Sequence, residues 1–330
     1  MAQIGNDIST AKAFLKADEL VAIPTETVYG LAGNGLRAEV ATKIFQAKNR
    51  PAFDPLILHT NSLKKIERLV REIPKKARLL AEAFWPGPLT LLLPKSEIVP
   101  DLVTSGLETV AVRIPKHPLT LELLSQLDFP VAAPSANPFS YISPTSAQHV
   151  QQHLGDKIPY ILDGGNCQVG IESTIVGFPN GIPTIYRKGG TSLEQIEGVI
   201  GKVAVNSHSS SNPQAPGMLK KHYSPSSKLI IGNIPDLLRA NQNKRVSIIS
   251  FQKNYLLDFE NKVGNQQNPT KKDVFILSEK GNFAEAAQNL FSTLRQIDQL
   301  QPELILAELL PEKGLGVAIN DRLKRASAEE

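Results

Sequence analysis

Lys48 and Arg50 close a helix-like segment within the run I-F-Q-A-K-N-R-P-A-F-D-P-L-I-L-H, which extends from Ile44 to His59. A planar guanidinium grips oxygens in a fork while an ammonium follows charge, so the two side by side suit a polyphosphate. Pro51 and Pro55 force an extended exit, and Leu56 to Leu58 read as a short buried strand that ends on His59. The competing reading is a helix C-terminus whose basic residues answer its dipole.

Three further stretches carry groups that could meet a ligand. In Pro24-Thr25-Glu26-Thr27-Val28-Tyr29-Gly30, a strand breaks into hydroxyls and then glycine, as open α/β sheets do where they present ligand groups. Thr25 and Thr27 could equally satisfy backbone donors, and Glu26 has no visible acid–base partner. In Thr109-Val110-Ala111-Val112-Arg113-Ile114-Pro115, an alternating strand carries an arginine that needs an anion from the protein or from a ligand. Between Phe129 and Pro144 a core strand leads into the small-residue loop Pro134-Ser135-Ala136-Asn137-Pro138. Ser143-Pro144 then reads as N-cap and first residue of a helix over Thr145 to Leu154, a helix N-terminus that could also receive an anion.

The elements behind these groups alternate strand and helix along 330 residues, which is more than one typical domain. Phe84-Trp85-Pro86-Gly87-Pro88 is a stiff turn into the apolar strand Leu89 to Leu93, with Trp85 packing. Strands ending at Gly164-Gly165 and before Gly189-Gly190 match neither G-x-x-x-x-G-K-[ST] nor G-x-G-x-x-G, so known nucleotide loops are absent. From Ser207 to Pro216 the composition becomes that of a linker, and from Leu229 onward a second, smaller α/β pattern begins.

Composition is that of an ordinary globular chain, 41% hydrophobic and 21% charged. Of its 36 Lys+Arg and 32 Asp+Glu, residues 1–200 hold 19 and 19, leaving 36 − 19 = 17 and 32 − 19 = 13 for the remainder. The first part is therefore neutral despite the net charge of +4, which argues against a duplex-binding stripe and leaves room only for weak RNA contact. The acidic, non-apolar N-terminal stretch predicts no signal peptide or membrane span, and the single cysteine, Cys167, fits a reducing cytoplasm. No activating base is apparent beside Cys167, which reads as a small loop residue.

Taken together, P-T-E-T-V-Y-G-L, A-K-N-R-P…P-L-I-L-H, W-P-G-P-L-T, V-A-V-R-I-P, A-P-S-A-N, I-E-S-T-I-V, R-K-G and A-P-G-M-L-K-K-H-Y-S-P resemble the threonylcarbamoyl-AMP synthase family, the YrdC-like proteins. The ending G-L-G-V-A-I-N-D-R-L-K-R-A is similar to the long, two-domain form. The resemblance implies α/β architecture: a mixed, twisted-sheet YrdC-like catalytic domain over 1–203, a linker that lids the site over 204–228, and a smaller Rossmann-like domain over 229–330. It also implies a nucleotidyltransferase that condenses L-threonine, bicarbonate and ATP, with Mg²⁺ as cofactor, into L-threonylcarbamoyladenylate and pyrophosphate. A partner transferase machinery then modifies the adenosine next to the anticodon of tRNAs reading codons that begin with A.

By motif position the resemblance puts threonine against Thr27, His59, Arg113, Ala133 and Ser173. It puts ATP against Lys48, Arg50, Asp54, Thr109, Ser135, Ser143, Arg187 and Tyr223, with Lys48 and Arg50 as the catalytic cations. The family often has Asn where this chain has Asp54; a carboxylate repels phosphate, so Asp54 either faces Mg²⁺ or turns away. A reading from another class is an RNA-binding or ribosome-maturation module without chemistry, which the balanced charge of residues 1–200 disfavours.

Overall fold

Alternation along short strands does most of the positioning, and it does so within a computed structural model that describes residues 1–206, 215–218, 222–256 and 272–328. The linker run 207–214 and Leu219 to Lys221 lie outside the described residues. The chain divides into one unit of Met1–Phe139 with Ser143–Lys220 and another of Ser140–Ile142 with Lys221–Glu330.

In the first unit the strands are β1 (Gln3–Gly5), β2 (Val21–Ile23), β3 (Gly30–Asn34), β4 (Ile57–His59), β5 (Leu89–Pro94), β6 (Thr109–Arg113), β7 (Val131–Ala132), β8 (Tyr160–Leu162), β9 (Thr174–Gly177), β10 (Thr184–Arg187) and β11 (Ala204–Val205). Among the described residues they form one sheet in the order β1-β8-β2-β3-β7-β4-β6-β5-β9-β10-β11. The sheet is mixed, as expected: β4 is parallel to β6 and antiparallel to β7, while β5 is antiparallel to β6 and parallel to β9.

Side chains alternate between two faces of the central strands. One face sends Leu58, Leu91, Val110, Val112, Val176 and Ile185 into the main core, where they meet Ile44, Leu80 and Ile196 from helices Ala38–Lys48, Lys75–Phe84 and Leu193–Ile200. The other face gathers Ile57, Leu92, Ala111 and Ile175 with Tyr186, Ala215 and Met218. Burying a methionine there is worth roughly 1.5–3 kcal/mol, so residues 215–218 are held on the sheet. His59 and Arg113 extend this second face, being paired in register two residues beyond Ile57 and Ala111.

Local capping sets where the basic residues emerge. Helix Ala38–Lys48 ends on Asn49 in the left-handed region, φ 52°. The Asn49 and Arg50 N–H groups return to the Gln46 and Phe45 carbonyls, the paired bonds of a Schellman stop, for which Asn is one of the few suitable residues. Lys48 thus leaves from the last turn and Arg50 from just past it. Farther on, the helix expected from Thr145 begins at Ala147, capped by Ser146. The Pro144 carbonyl accepts the Tyr29 N–H instead of opening the helix, and Ser146, not Ser143, is the cap.

The second unit carries a four-stranded parallel sheet of β12 (Lys228–Ile231), β13 (Val246–Ser250), β14 (Lys272–Ile276) and β15 (Leu304–Ala307), in the order β12-β15-β13-β14. Helix Phe283–Leu300, capped by Asn282, buries Ala286, Ala287, Leu290, Phe291, Leu294 and Ile297, the spacing of one helical face. Among the described residues no helix is long and apolar enough to cross a membrane.

Gly189 crosses so close to the Glu172–Ser173 backbone that an added Cβ would overlap the Glu172 carbonyl oxygen. Gly189→Ala is expected to lower stability by roughly 1–3 kcal/mol, measured by thermal unfolding; an unchanged melting temperature would mean that the crossing relaxes freely.

Candidate active site

Asp54 is the point around which the basic side chains collect. Its carboxyl is fully buried, and burial pushes its pKa up, while the positive charges of Arg50, Lys48 and Arg187 pull it back down. Arg50 Nη2 lies 3.0 Å from Asp54 Oδ2, although the contact is poorly aligned for a hydrogen bond. Arg50 is better anchored by its donations to two carbonyls, from Nε to Asp54 O at 3.1 Å and from Nη2 to Pro55 O at 2.7 Å. Asp54 therefore serves as counter-ion to this arginine.

Lys48 is 1% exposed and donates to the Ser135 and Asn137 carbonyls, each at 2.5 Å. Burial, and then the neighbouring Arg50 charge, hold its pKa well below the ordinary lysine value. The small-residue loop after β7 thus contributes backbone oxygens. Ser135 is tied to Gly30 by an isolated antiparallel bridge, and the Ala133 N–H donates to Ile57 O at 3.0 Å. Ala133 packs against Gly30 so tightly that a Cβ at Gly30 would stand 3.1 Å from its methyl.

Arg187 reaches the same face through an irregularity in β10. Ile185 pairs with Val176, but Arg187 rather than Tyr186 pairs with Ile175. This bulge re-aims Arg187 to the side of Ile175, as bulges beside functional sites commonly do. Its Nε and Nη2 donate to Ser173 O and Ser173 Oγ, both at 3.0 Å, and its Nη1 to Pro216 O at 3.3 Å. Ser173 Oγ also bonds Thr90 Oγ1 at 2.7 Å.

Beside these cations lies a polar pocket. Arg113 donates from Nε to Gly87 O at 3.1 Å and from Nη1 to Thr27 Oγ1 at 3.0 Å, and its Nη2 is 2.8 Å from Glu26 Oε1. The anion that this strand arginine required is supplied by the protein. Thr25 serves its own turn, accepting the Thr27 and Val28 N–H groups and donating to Val28 O, so the Thr27 hydroxyl donates to Thr25 Oγ1 at 2.8 Å while it accepts from Arg113. His59 is buried, and its Nδ1 lies 3.2 Å from Ile57 O, so Nδ1 carries the proton and Nε2 is left as an acceptor. Burial, and then the charge of Arg113, lower its pKa to about 3.

Ser143 donates to Glu172 Oε1 at 2.6 Å, a partner that local sequence does not reveal. Thr109, half-buried, opens β6 on the side of Ala111 and Arg113. Tyr223 belongs to the second unit, where it packs on Phe291 at 5.3 Å with the Arg322 guanidinium over its ring at 5.3 Å. Burial, with the Glu26 charge second, pushes the Cys167 thiol up, as suits a residue without nucleophilic duty. Among the described residues no three His, Cys, Asp or Glu side chains form a metal cluster. Asp54 faces Arg50, Glu26 faces Arg113 and Glu172 takes the Ser143 hydroxyl, so this carboxylate set does not fit Mg²⁺; an ion entering with ATP would lean on the phosphates.

The Sua5/YciO/YrdC family profile, described as "Telomere recombination", matches residues 13–189, and that of the "Threonylcarbamoyl-AMP synthase, C-terminal domain" matches 191–328. The threonylcarbamoyl-AMP synthase of Pyrococcus abyssi is 43% identical over 327 residues, covering 97% of this chain and 94% of the relative. The chain belongs to the threonylcarbamoyl-AMP synthase family. It has the family's two-domain Sua5 form, and the synthase of Bacillus subtilis is 38% identical over 97% of this chain and 92% of its own. The crystal structure of P. abyssi Sua5 complexed with L-threonine superposes with a TM-score of 0.86 at 41% identity, covering 97% of this chain and 94% of that one.

Two outcomes test the electrostatics of this Sua5 site. Arg50→Ala is expected to cost about 3–5 kcal/mol of stability by leaving Asp54 buried alone, with Arg50→Gln/Asp54→Asn recovering most of it; equal melting temperatures for Arg50→Ala and the parent would dismiss the pairing. Because the His59 pKa is depressed from 6.5 to about 3, its stabilising contribution is whole above the unfolded value and is lost as pH falls through that window. Between about pH 6.5 and 4.5, at about 1.36 kcal/mol per pH unit and site, His59→Gln should escape roughly 2–3 kcal/mol of the parent's loss in urea unfolding. Asp54 titrates in both proteins and cancels from the difference; parallel pH profiles would contradict a buried neutral His59.

Proposed function

We propose that the chain condenses L-threonine, bicarbonate and ATP into L-threonylcarbamoyladenylate, releasing pyrophosphate. The observation that carries this reading is the gathering of Lys48, Arg50 and Arg187 around Asp54, next to a pocket made of Arg113, Thr27, His59 and Ser173. In that pocket the threonine carboxylate meets Arg113, and its hydroxyl meets groups such as Thr27 and Ser173.

Threonine enters as the zwitterion, its ammonium gives up one proton to water, and the neutral amine so formed combines with bicarbonate to give an N-carboxylate and water. An oxygen of that carboxylate then attacks the α-phosphorus of ATP, forming the mixed anhydride as the bond to pyrophosphate breaks. Two anions have to approach each other, so the protein's task is to neutralise and align them, and no protein nucleophile is needed. Lys48, Arg50 and Arg187 are assigned to the phosphates, with Thr109, Ser135 and Ser143 as further ATP contacts and Ala133 lining the amino-acid side. Tyr223 is assigned to ATP by its place in H-Y-S-P alone. Mg²⁺ enters as part of the nucleotide substrate. The product passes to a transferase that modifies the adenosine next to the anticodon of tRNAs reading ANN codons, in the cytoplasm.

The test is pyrophosphate release from ATP with labelled bicarbonate and each amino acid in turn. Release should require both L-threonine and bicarbonate and fall at least about 100-fold in Arg50→Gln/Asp54→Asn. Release that ignores threonine, or a double variant of parental turnover, would overturn the reading.

A further inference from the structure

Glu26 is 4% exposed, and both of its carboxylate oxygens lack an aligned hydrogen-bond donor although Oε1 lies only 2.8 Å from Arg113 Nη2. Arg113 Nη2 is likewise without an aligned acceptor. A carboxylate whose sole task was to neutralise an arginine would adopt the parallel two-bond fork that maximises charge-assisted hydrogen bonding. Here the charges are adjacent while the lone pairs and the N–H groups point past each other. Leaving such capacity unspent on buried side chains is costly, and a ligand that satisfied both groups would recover it.

We propose that Glu26 receives the α-ammonium group of the amino-acid substrate, so that Arg113 and Glu26 together read the substrate as a zwitterion. This rests on the reading of the pocket as the threonine site. An α-amino acid carries its ammonium and carboxylate on one carbon, the same juxtaposition of opposite charges that Glu26 and Arg113 present in reverse. Thr27 follows Glu26 directly in the chain and accepts from Arg113 Nη1, so a substrate seated on the pair also has a hydroxyl within the same cluster. The other ionisable groups whose charges couple to Glu26 are poor rivals for an ammonium. Cys167 is held as a neutral thiol by burial, and His117, its pKa lowered by burial, has Nε2 3.3 Å from Gly164 O. With the thiol and the imidazole both neutral, Arg113 is the charged neighbour with which a bound ammonium would share Glu26.

An ammonium receptor and a purely structural carboxylate differ in the ligand specificity they confer. A 2-hydroxy acid keeps the carboxylate and the side chain of threonine but offers no ammonium. The experiment is calorimetric titration of the full chain and of Glu26→Gln with L-threonine and with its analogue 2,3-dihydroxybutanoate, alongside thermal unfolding of both proteins. The parent should bind the hydroxy acid at least about 100-fold more weakly than threonine. Glu26→Gln should lose threonine affinity on the order of 100-fold while its affinity for the hydroxy acid moves less than about threefold, collapsing the preference. A parallel loss of both ligands would overturn the inference and leave the threonine reading standing, since Glu26 would then act only on Arg113. A parent that binds no threonine would end both. Should Glu26→Gln not fold, Glu26→Asp keeps a charge for Arg113 but withdraws it by one methylene; it should weaken threonine alone, by about tenfold, and an unchanged ratio of the two ligands would overturn the inference.

Discussion

Placing Lys48, Arg50, Arg113 and Arg187 inside a folded domain is the constraint from which the rest of the site follows, because each of these cations is at least nine-tenths buried. An uncompensated buried charge costs several kcal/mol, so every one has to be answered locally. Asp54 and Glu26 supply the negative charges, and backbone carbonyls supply most of the aligned acceptors: Ser135 and Asn137 for Lys48, Asp54 and Pro55 for Arg50, Gly87 for Arg113, Ser173 and Pro216 for Arg187. Carbonyl dipoles fix the guanidinium planes without cancelling their charge. The positive field is therefore oriented before any anion arrives, and little reorganisation remains for the moment of reaction.

The scaffold achieves this with modest devices. A left-handed Asn49 stops a helix so that two basic residues leave it in different directions. Parallel pairing of β4 with β6 sets His59 beside Arg113, and burial, reinforced by the neighbouring arginine, keeps that imidazole neutral and able to accept rather than repel. One bulge in β10 turns Arg187 from the side of Ile185 to the side of Ile175. Each device involves few residues, and each sets the direction in which a site side chain leaves the backbone. This is why the strands carrying the site are backed by the continuous core of Leu58, Val110, Val112 and Val176.

Much of this was legible in the chain itself. The proline-bracketed turn after Lys48 and Arg50, the alternation that leads to Arg113, and the second α/β pattern after Leu229 all have periodicities or turn residues that speak locally. Partnerships across long separations did not. Glu26 looked solitary because Arg113, its counter-ion, lies in another strand, and Ser143 looked like a helix cap because Glu172 lies 29 positions away. Asp54 looked like a liability to a phosphate, whereas its proximity to Arg50 makes it the ion that renders that arginine tolerable in the interior. The bulge before Arg187 has no sequence mark, since it depends on the register that β9 imposes. What a single chain conceals is thus less the identity of the charged groups than which of them answers which.

The central claim, that these cations form one receptor for a triphosphate beside an amino-acid pocket, is tested most directly by a crystal structure of the protein with a non-hydrolysable ATP analogue and L-threonine. The account places phosphate oxygens within about 3 Å of the Arg50 and Arg187 guanidinium groups and of the Lys48 ammonium, with the threonine carboxylate on Arg113. A nucleotide bound elsewhere, with Arg50 still turned to Asp54 and Arg187 still turned to Ser173, would contradict it.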